Sequence, residues 1–301
     1  MRESIDHLLR TGGGVAAREQ CLQVVSRCAF DDEVRRGHLV AIFPRAYARP
    51  WDVDQVDVRR RAALVSVGGE AALSHLTGLG MWELPAPAPA PLHVTAYNPR
   101  HPRGVPGELV VHRTLLPLDA RTIDGLAVVR PEVAAVMSWP LLCGSDQRAP
   151  LLEGNRRRLL SPARAAALAE KMVYLKGIKQ LRELLGLLLA GCESELELWG
   201  YTDVFNVPGL DDAQRQTVLR VGNRNYRIDV GYEAEKLAVE LDGRAYHASP
   251  QQWERDIARD LALATIGWQT VRLSHHRLTH DVEGCRRDVL AVRAARRLLA
   301  S

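Results

Sequence analysis

The segment YRIDVGYEAEKLAVELDGRAYH, Tyr226 to His247, sets Asp229, Glu240 and Asp242 among Ile228, Val230, Val239 and Leu241. It alternates like two β-strands joined by a turn. A hairpin would bring Asp229 and Glu240 side by side, about one strand spacing apart. Glu240 and Asp242, two residues apart, project from one face of their strand, and Leu241 projects from the other, toward a helix. Glu197, earlier in the chain, can lean over the same point. Four acids converging on one locus repel unless they are protonated or hold a metal. A hard divalent cation such as Mg²⁺ takes oxygen ligands of this kind. Such a cation on carboxylates supports phosphodiester hydrolysis, through an activated water and Lewis-acid stabilisation of phosphate charge. The same spacing also fits solvent-facing acids on the open face of a sheet, and the residues alone leave both readings open. His247, five residues past Asp242, is either a general acid or base or an ordinary loop histidine.

The elements that would position these groups are legible around them. ESELELWGYTDVF reads as a helix, and QTVLRV, YRIDVGY and KLAVELDG read as strands separated by polar turns. SPQQWERDIARDLALATIG is a long helix, WQTVRLS a strand and DVEGCRRDVLAVRAARRLL a closing helix. The order is α-β-β-β-α-β-α. Arg259 and Arg272 are candidates to hold a phosphate, with Asp256 and Asp260 orienting them or capping the helix. Trp253 can stack on bases, whereas Trp268 is expected in the core.

At the other end, residues 1 to about 50 read as helical with a closing hairpin. Ile5, Leu8 and Leu9 fit a short amphipathic helix, which TGGG breaks. VAAREQCLQVV is expected to be a second helix and SRCAFDDEVRRGHL a third, with Ser26 as N-cap and Gly37 as C-cap. LVAIFPRAYARP alternates and turns at Pro44-Arg45 like a two-stranded wing. Three helices and a wing make a winged helix-turn-helix, a fold that sets its third helix in the DNA major groove. Arg27, Arg35, Arg36 and Arg45 are then the expected phosphate or base contacts. The same charges are also consistent with solvated helix faces or a protein-binding unit.

Between the two ends, residues 55 to about 82 are expected to form one or two helices. A stiff PAPAPAP connection runs from Pro85 to Pro91, followed by the strands LHVTAY, ELVVHRT and GLAVVRP. Pro131 to Gly191 reads as helical, with a basic run from Arg156 to Arg182 that either follows a DNA backbone or forms a solvated helix face. The expected division is 1–52, 53–190 and 191–301.

The chain has 301 residues, of which 47% are hydrophobic and 25% charged, the balance of a globular protein. Its formal charge is +4, and the excess of positive charge lies before Gly191. Arginine far outnumbers lysine, which suits phosphate but is also what a GC-rich genome gives. No apolar run suggests a membrane span and the first residues lack the apolar core of a signal peptide, so the expected location is the cytoplasm. The five cysteines are odd in number, widely spaced and without a C-x-x-C, so reduced and mostly buried thiols are expected.

Several stretches carry a family resemblance. SELE (Ser194 to Glu197), YRIDV, VELDGRAYH and RDIARDLALATIGWQTVRL make the last 110 or so residues resemble the PD-(D/E)xK nuclease superfamily. Within it they look most like the DUF559 branch, related to very-short-patch-repair endonucleases. GGGVAAREQ, RRGHLVAIFPRAYARP, ALSHLTGLGMWELP and VVHRT resemble the AbiEi-type antitoxin winged-helix region. The two resemblances touch most of the chain, least between Glu132 and Gly191. They imply an α/β (α+β) multidomain protein: a winged helix-turn-helix, a mixed α/β middle and a restriction-endonuclease-like core. They imply Asp229, Glu240 and the Leu241 carbonyl as ligands of Mg²⁺ or Mn²⁺, with Glu197 as an outer ligand or water-orienter. The proline of the motif is Ile228 here, and the usual lysine position is Asp242. Lys236, His247 and Arg259 are candidates to offset charge in its place.

The function expected from these residues is metal-dependent cleavage or nicking of DNA, in repair or phage defence. The alternative is an antitoxin-type DNA-binding regulator whose nuclease-like domain is non-catalytic. A toxin or defence protein would be a fitting partner, and cutting both strands would call for a homodimer.

Overall fold

In the computed structural model, described for residues 2–87, 91–97, 103–192, 194, 197, 200–242 and 250–300, the chain divides into two compact units. The first comprises Met1–Gly154 and Leu159–Gly177, the second Asn155–Arg158 and Ile178–Ser301.

The first unit begins with α1 (Arg2–Thr11), β1 (Val15–Ala17), α2 (Arg18–Val24), α3 (Arg27–Arg35), β2 (Val40–Phe43) and β3 (Ala46–Ala48). The three strands form an antiparallel sheet in the order β1-β3-β2. VAA, expected as the start of a helix, is therefore a strand. The glycine turn before it explains this: a Cβ on Gly12 would lie 2.1 Å from the Val15 carbonyl oxygen, and Gly13 and Gly14 take positive φ. Ser26 caps α3 by accepting from the Ala29 N–H at 3.3 Å, and Gly37 follows the helix at φ 72. Arg49, after β3, is buried; it bonds Asp6 of α1 and the His38 carbonyl and lies 3.7 Å from Glu33 of α3. That guanidinium ties the hairpin to two helices at once.

This sheet shares a core with the next elements: Val15, Phe43 and Ala48 pack with Ala62, Leu73 and Val94. Those elements are α4 (Val56–Val67), β4 (Ala71–Leu73), α5 (His75–Met81), β5 (Leu92–Tyr97), β6 (Leu109–Thr114), β7 (Ala120–Ile123) and β8 (Leu126–Val129). Their sheet runs β6-β5-β4-β8-β7, with β5–β6 and β4–β8 parallel and the other pairs antiparallel. The region expected to be one or two helices thus holds α4 and α5 with a short strand between them. The helices α6 (Pro131–Ser138), α7 (Gly144–Arg156) and α8 (Pro162–Lys171) follow, and α9 (Ile178–Leu189) belongs to the second unit.

The second unit contains β9 (Gln214–Val221), β10 (Arg224–Tyr232), β11 (Leu237–Asp242), α10 (Pro250–Thr265), β12 (Gln269–Ser274), α11 (His275–His280) and α12 (Val282–Ala300). Its sheet runs β12-β11-β10-β9. β9, β10 and β11 form an antiparallel meander, and β12 returns parallel to β11 after α10. Ile228, Ala238, Leu263 and Trp268 form a core beneath α10, with Trp268 only 7% exposed.

One ion cluster fastens α12 to this sheet. Arg293 is 2% exposed and its five N–H groups are all engaged, by Glu235, Asp212 and the Gly209 carbonyl. Its guanidinium lies 4.0 Å from the Tyr232 ring centroid. Burial alone would push the Glu235 carboxyl up, but hydrogen bonds from Arg297 and Arg293 outweigh it and hold the carboxyl below its usual value. Among the described residues no helix is long and apolar enough to cross a membrane.

Arg293→Met would leave Glu235 buried beside a lost partner. The expected loss is about 3–5 kcal/mol of unfolding free energy in urea, with part recovered when Glu235→Gln is added. Equal loss in the single and double variants would show that the charge pair is not what holds α12.

Candidate active site

β11 is an interior strand, and Glu240 near its end is 6% exposed. The antiparallel register of β10 and β11 pairs Val230 with Val239. One step further along, the ladder gives way to a side chain: the Asp229 carboxylate accepts the Leu241 N–H at 2.9 Å through Oδ2. Asp229 therefore sits at the opening of the two strands beside Glu240. Leu241 packs on the other side, where a Cβ on Gly200 would lie 2.6 Å from its Cδ1. Only glycine leaves room there for Leu241.

Glu197 and Asp229 are joined through Gln216 on β9. Gln216 Nε2 lies 2.9 Å from Glu197 Oε2, 3.3 Å from the Tyr201 hydroxyl and 3.4 Å from Asp229 Oδ1. Its backbone takes φ 49 within the strand, a conformation costly for a non-glycine residue. Its buried Oε1 has no hydrogen-bond partner among the described residues. The Tyr201 hydroxyl donates to the Asp229 carbonyl at 2.8 Å, and burial raises its pKa well above the usual phenol range. Ser194 Oγ accepts from the Glu197 N–H at 3.1 Å and donates to its Oε1 at 2.9 Å. Gln216 and Tyr201 were not singled out from the sequence. The two-residue turn Gly222-Asn223 would have placed Gln216 opposite Asp229, had the β9–β10 register been counted out from it.

Glu240 carries the clearest electrostatic signature. Burial is the largest cause, the neighbouring Asp229 the next, and together they push its carboxyl up to about 8 from 4.5, against the opposing pull of Arg259 and Arg272. Arg259 on α10 hydrogen-bonds both Glu240 Oε1 and the Arg227 carbonyl. Arg272 is the register partner of Glu240 on β12 and donates to both Asp260 oxygens at 3.0 Å.

The structure brings Asp229, Glu240 and Leu241 together and reaches Glu197 through Gln216. The three carboxylates of Glu197, Asp229 and Glu240 do not close to a set within 4.8 Å of one another. Of the charge-offsetting candidates, Arg259 contacts Glu240, whereas Lys236 lies beside Gly267 at the opposite end of β11. Asp242 ends β11 opposite Ser274, and its side chain lies outside the described residues, as does His247. The N-terminal arginines form a separate group. Arg27 pairs with Asp31 at 3.8 Å, Arg35 with Asp32 at 2.7 Å and Arg45 with Glu19 at 2.9 Å, while Arg36 is exposed just past α3.

Residues 208–292 match the REase_MTES_1575 family model. The C-terminal unit thus contains a restriction-endonuclease-like domain, and its four-stranded sheet with flanking helices is consistent with that fold. The matched segment includes Asp229, Glu240, Leu241, Asp242, Arg259 and Arg272; Glu197 precedes it. No curated protein matches the chain. A domain of this family implies nuclease chemistry at the level of class.

The raised Glu240 carboxyl sets a sign for pH dependence. Between about 4.5 and about 8 the folded state holds a proton that the unfolded state has released, so this contribution to stability is full below that window and lost as pH rises through it. In metal-free buffer, Glu240→Gln is expected to remove a pH-dependent component of a few kcal/mol from the unfolding free energy. Urea titrations of both proteins at pH 5 and pH 8.5 check this, and parallel pH profiles would contradict it.

Proposed function

We propose that the protein is a Mg²⁺- or Mn²⁺-dependent DNA endonuclease or nickase. The observation that carries this reading is the buried Glu240 carboxyl, raised beside Asp229 within the segment matched by the REase_MTES_1575 model. Two carboxylates and a main-chain carbonyl are the oxygen donors that a hard divalent cation takes. Asp229, Glu240 and the Leu241 carbonyl would hold it, and the donor set fits. When bound, the cation supplies a more acidic water and Lewis-acid stabilisation of phosphate charge. Glu197, held by Ser194 and Gln216, orients water at the edge of the site. Arg259 takes the charge-balancing role of the lysine that Asp242 replaces; once Glu240 engages a cation, its guanidinium is free to pair with a phosphate oxygen. Arg272, held by Asp260, flanks the same strand end.

On this reading residues 1–52 form a winged helix-turn-helix that docks the DNA. The order α1-β1-α2-α3-β2-β3 and the sheet order β1-β3-β2 support it. The arginines on α3 support it less, because Asp31 and Asp32 on the same helix neutralise Arg27 and Arg35. Arg45 is likewise paired, with Glu19, which leaves the exposed Arg36 as the main phosphate contact of this unit.

One contact favours a second reading, a DNA-binding regulator with an inactive nuclease-like domain: Arg259 occupies the Glu240 oxygen that a cation would need. A cleavage assay separates the two. Supercoiled, mismatched and single-stranded DNA are incubated with Mg²⁺ or Mn²⁺ and resolved on gels. The nuclease reading expects nicked or linear product, lowered by about two orders of magnitude or more in Asp229→Ala and Glu240→Ala. DNA binding without cleavage on any substrate, unchanged by those variants, would establish the regulator instead.

A further inference from the structure

One face of the five-stranded sheet in the first unit gathers three histidines. His93 lies on β5 and His112 on β6. The parallel register sets Thr95 beside His112, and His93, two residues before Thr95, shares its face. His75 enters from the corner between β4 and α5. The rings stack, with centroids 3.6 Å apart for His75–His112, 5.1 Å for His93–His112 and 5.5 Å for His75–His93. One ring nitrogen from each lies within 4.8 Å of the other two, and His93 Nδ1 is 2.9 Å from His112 Nε2. Two nitrogens on one tetrahedral ion, each bonded at about 2.0–2.1 Å, stand roughly 3.3 Å apart. His93 and His112 share a hydrogen bond at this contact, so an ion entering here displaces its proton and parts the two nitrogens by about 0.4 Å.

The surroundings suit ligation better than core packing. His75 and His93 are 7% and 4% exposed, and burial, followed by the neighbouring rings, lowers both to values that leave the imidazoles neutral at pH 7. Neutral imidazole is the form that donates a lone pair to a metal. A second layer is in place: Thr95 Oγ1 donates to Ser74 Oγ at 2.7 Å, and Ser74 Oγ lies 3.0 Å from His75 Nδ1. Such a bond to Nδ1 turns Nε2 toward an ion and fixes the ring. The His75 backbone takes φ 49, in the left-handed region, at the start of α5. His112 is half-buried, so the cluster opens on its side. Thr114, next but one on β6, and Met137, 4.0 Å from Thr95 Oγ1, line a cavity of about 450 Å³ whose lining includes none of the three histidines.

We propose that His75, His93 and His112 bind one divalent transition-metal ion of the Zn²⁺ class and leave a fourth position open to water. Three imidazoles select a borderline ion over Mg²⁺, which prefers oxygen. The site is thus distinct in ligand chemistry from the carboxylates of the second unit, and the two are separable by experiment.

The full-length protein, stripped with a chelator, is titrated with Co²⁺ and then with Zn²⁺. The expected result is one equivalent of Co²⁺ with the visible absorption of a tetrahedral site, displaced by Zn²⁺ and unchanged in Asp229→Ala. His112→Gln, at the half-buried position, is expected to weaken Co²⁺ binding about 10-fold or more. Should that variant fail to fold by circular dichroism, the wild type decides alone. Bound Zn²⁺ is then expected to protect His112 from diethylpyrocarbonate, read by peptide mass spectrometry. Absence of a Co²⁺ spectrum in the wild type, wild-type affinity in folded His112→Gln, or unchanged modification of His112 with Zn²⁺ would each overturn the proposal.

Discussion

A carboxyl group buried on an interior strand is the constraint around which the second unit is arranged. Glu240 is 6% exposed, on a strand flanked by β10 and β12 and with Arg259 of α10 bonded to its carboxyl. Each neighbouring element then delivers one group to it. β10 brings Asp229, which raises its pKa further; α10 brings Arg259, and β12 brings Arg272, both of which pull it down. β9 brings Gln216, which links Asp229 to Glu197. An unpaired buried carboxylate costs several kcal/mol, so the group is either protonated, paired with Arg259 or bound to a cation. These three states compete for the same oxygen atoms, and that competition is the physical core of the proposed activity.

The rest of the unit holds the strand still. Gly200 admits Leu241, so the main chain between Glu240 and Asp242 is pinned from the side away from Glu240. The Arg293 cluster keeps α12 on the sheet by joining Glu235, at the turn before β11, to Asp212, before β9. The two strands whose side chains meet at Asp229 and Glu240 are thereby fixed at the ends remote from the site.

Much of this was legible in the sequence, for a physical reason. β10 and β11 are long enough for alternation to show, and a hairpin forces residues equidistant from its turn to face each other, which placed Asp229 near Glu240. The β-β-β-α-β order was readable because α10 and its flanking strands are long; the helix expected ahead of them, from Glu193, falls largely outside the described residues. β1, β4 and β7 are three or four residues long and, unlike β2 and β3 in LVAIFPRAYARP, none stands in a longer alternating run that a turn divides; VAA instead runs straight into α2. The link through Gln216 escaped notice because a neutral amide does not announce itself among acids. The histidine cluster escaped because its members lie 18 and 19 residues apart on separate elements, and only the sheet register brings them to one face.

The match over residues 208–292 supports the class of chemistry, and the Asp229–Glu240 pair supplies a place for it. The most direct test of that pair is a calorimetric titration of Mg²⁺ into the full chain, wild type beside Glu240→Gln, in the absence of DNA. The account predicts saturable Mg²⁺ binding in the wild type that the single oxygen-to-amide change abolishes. Binding of equal strength in both proteins, or none in the wild type up to millimolar Mg²⁺, would contradict it.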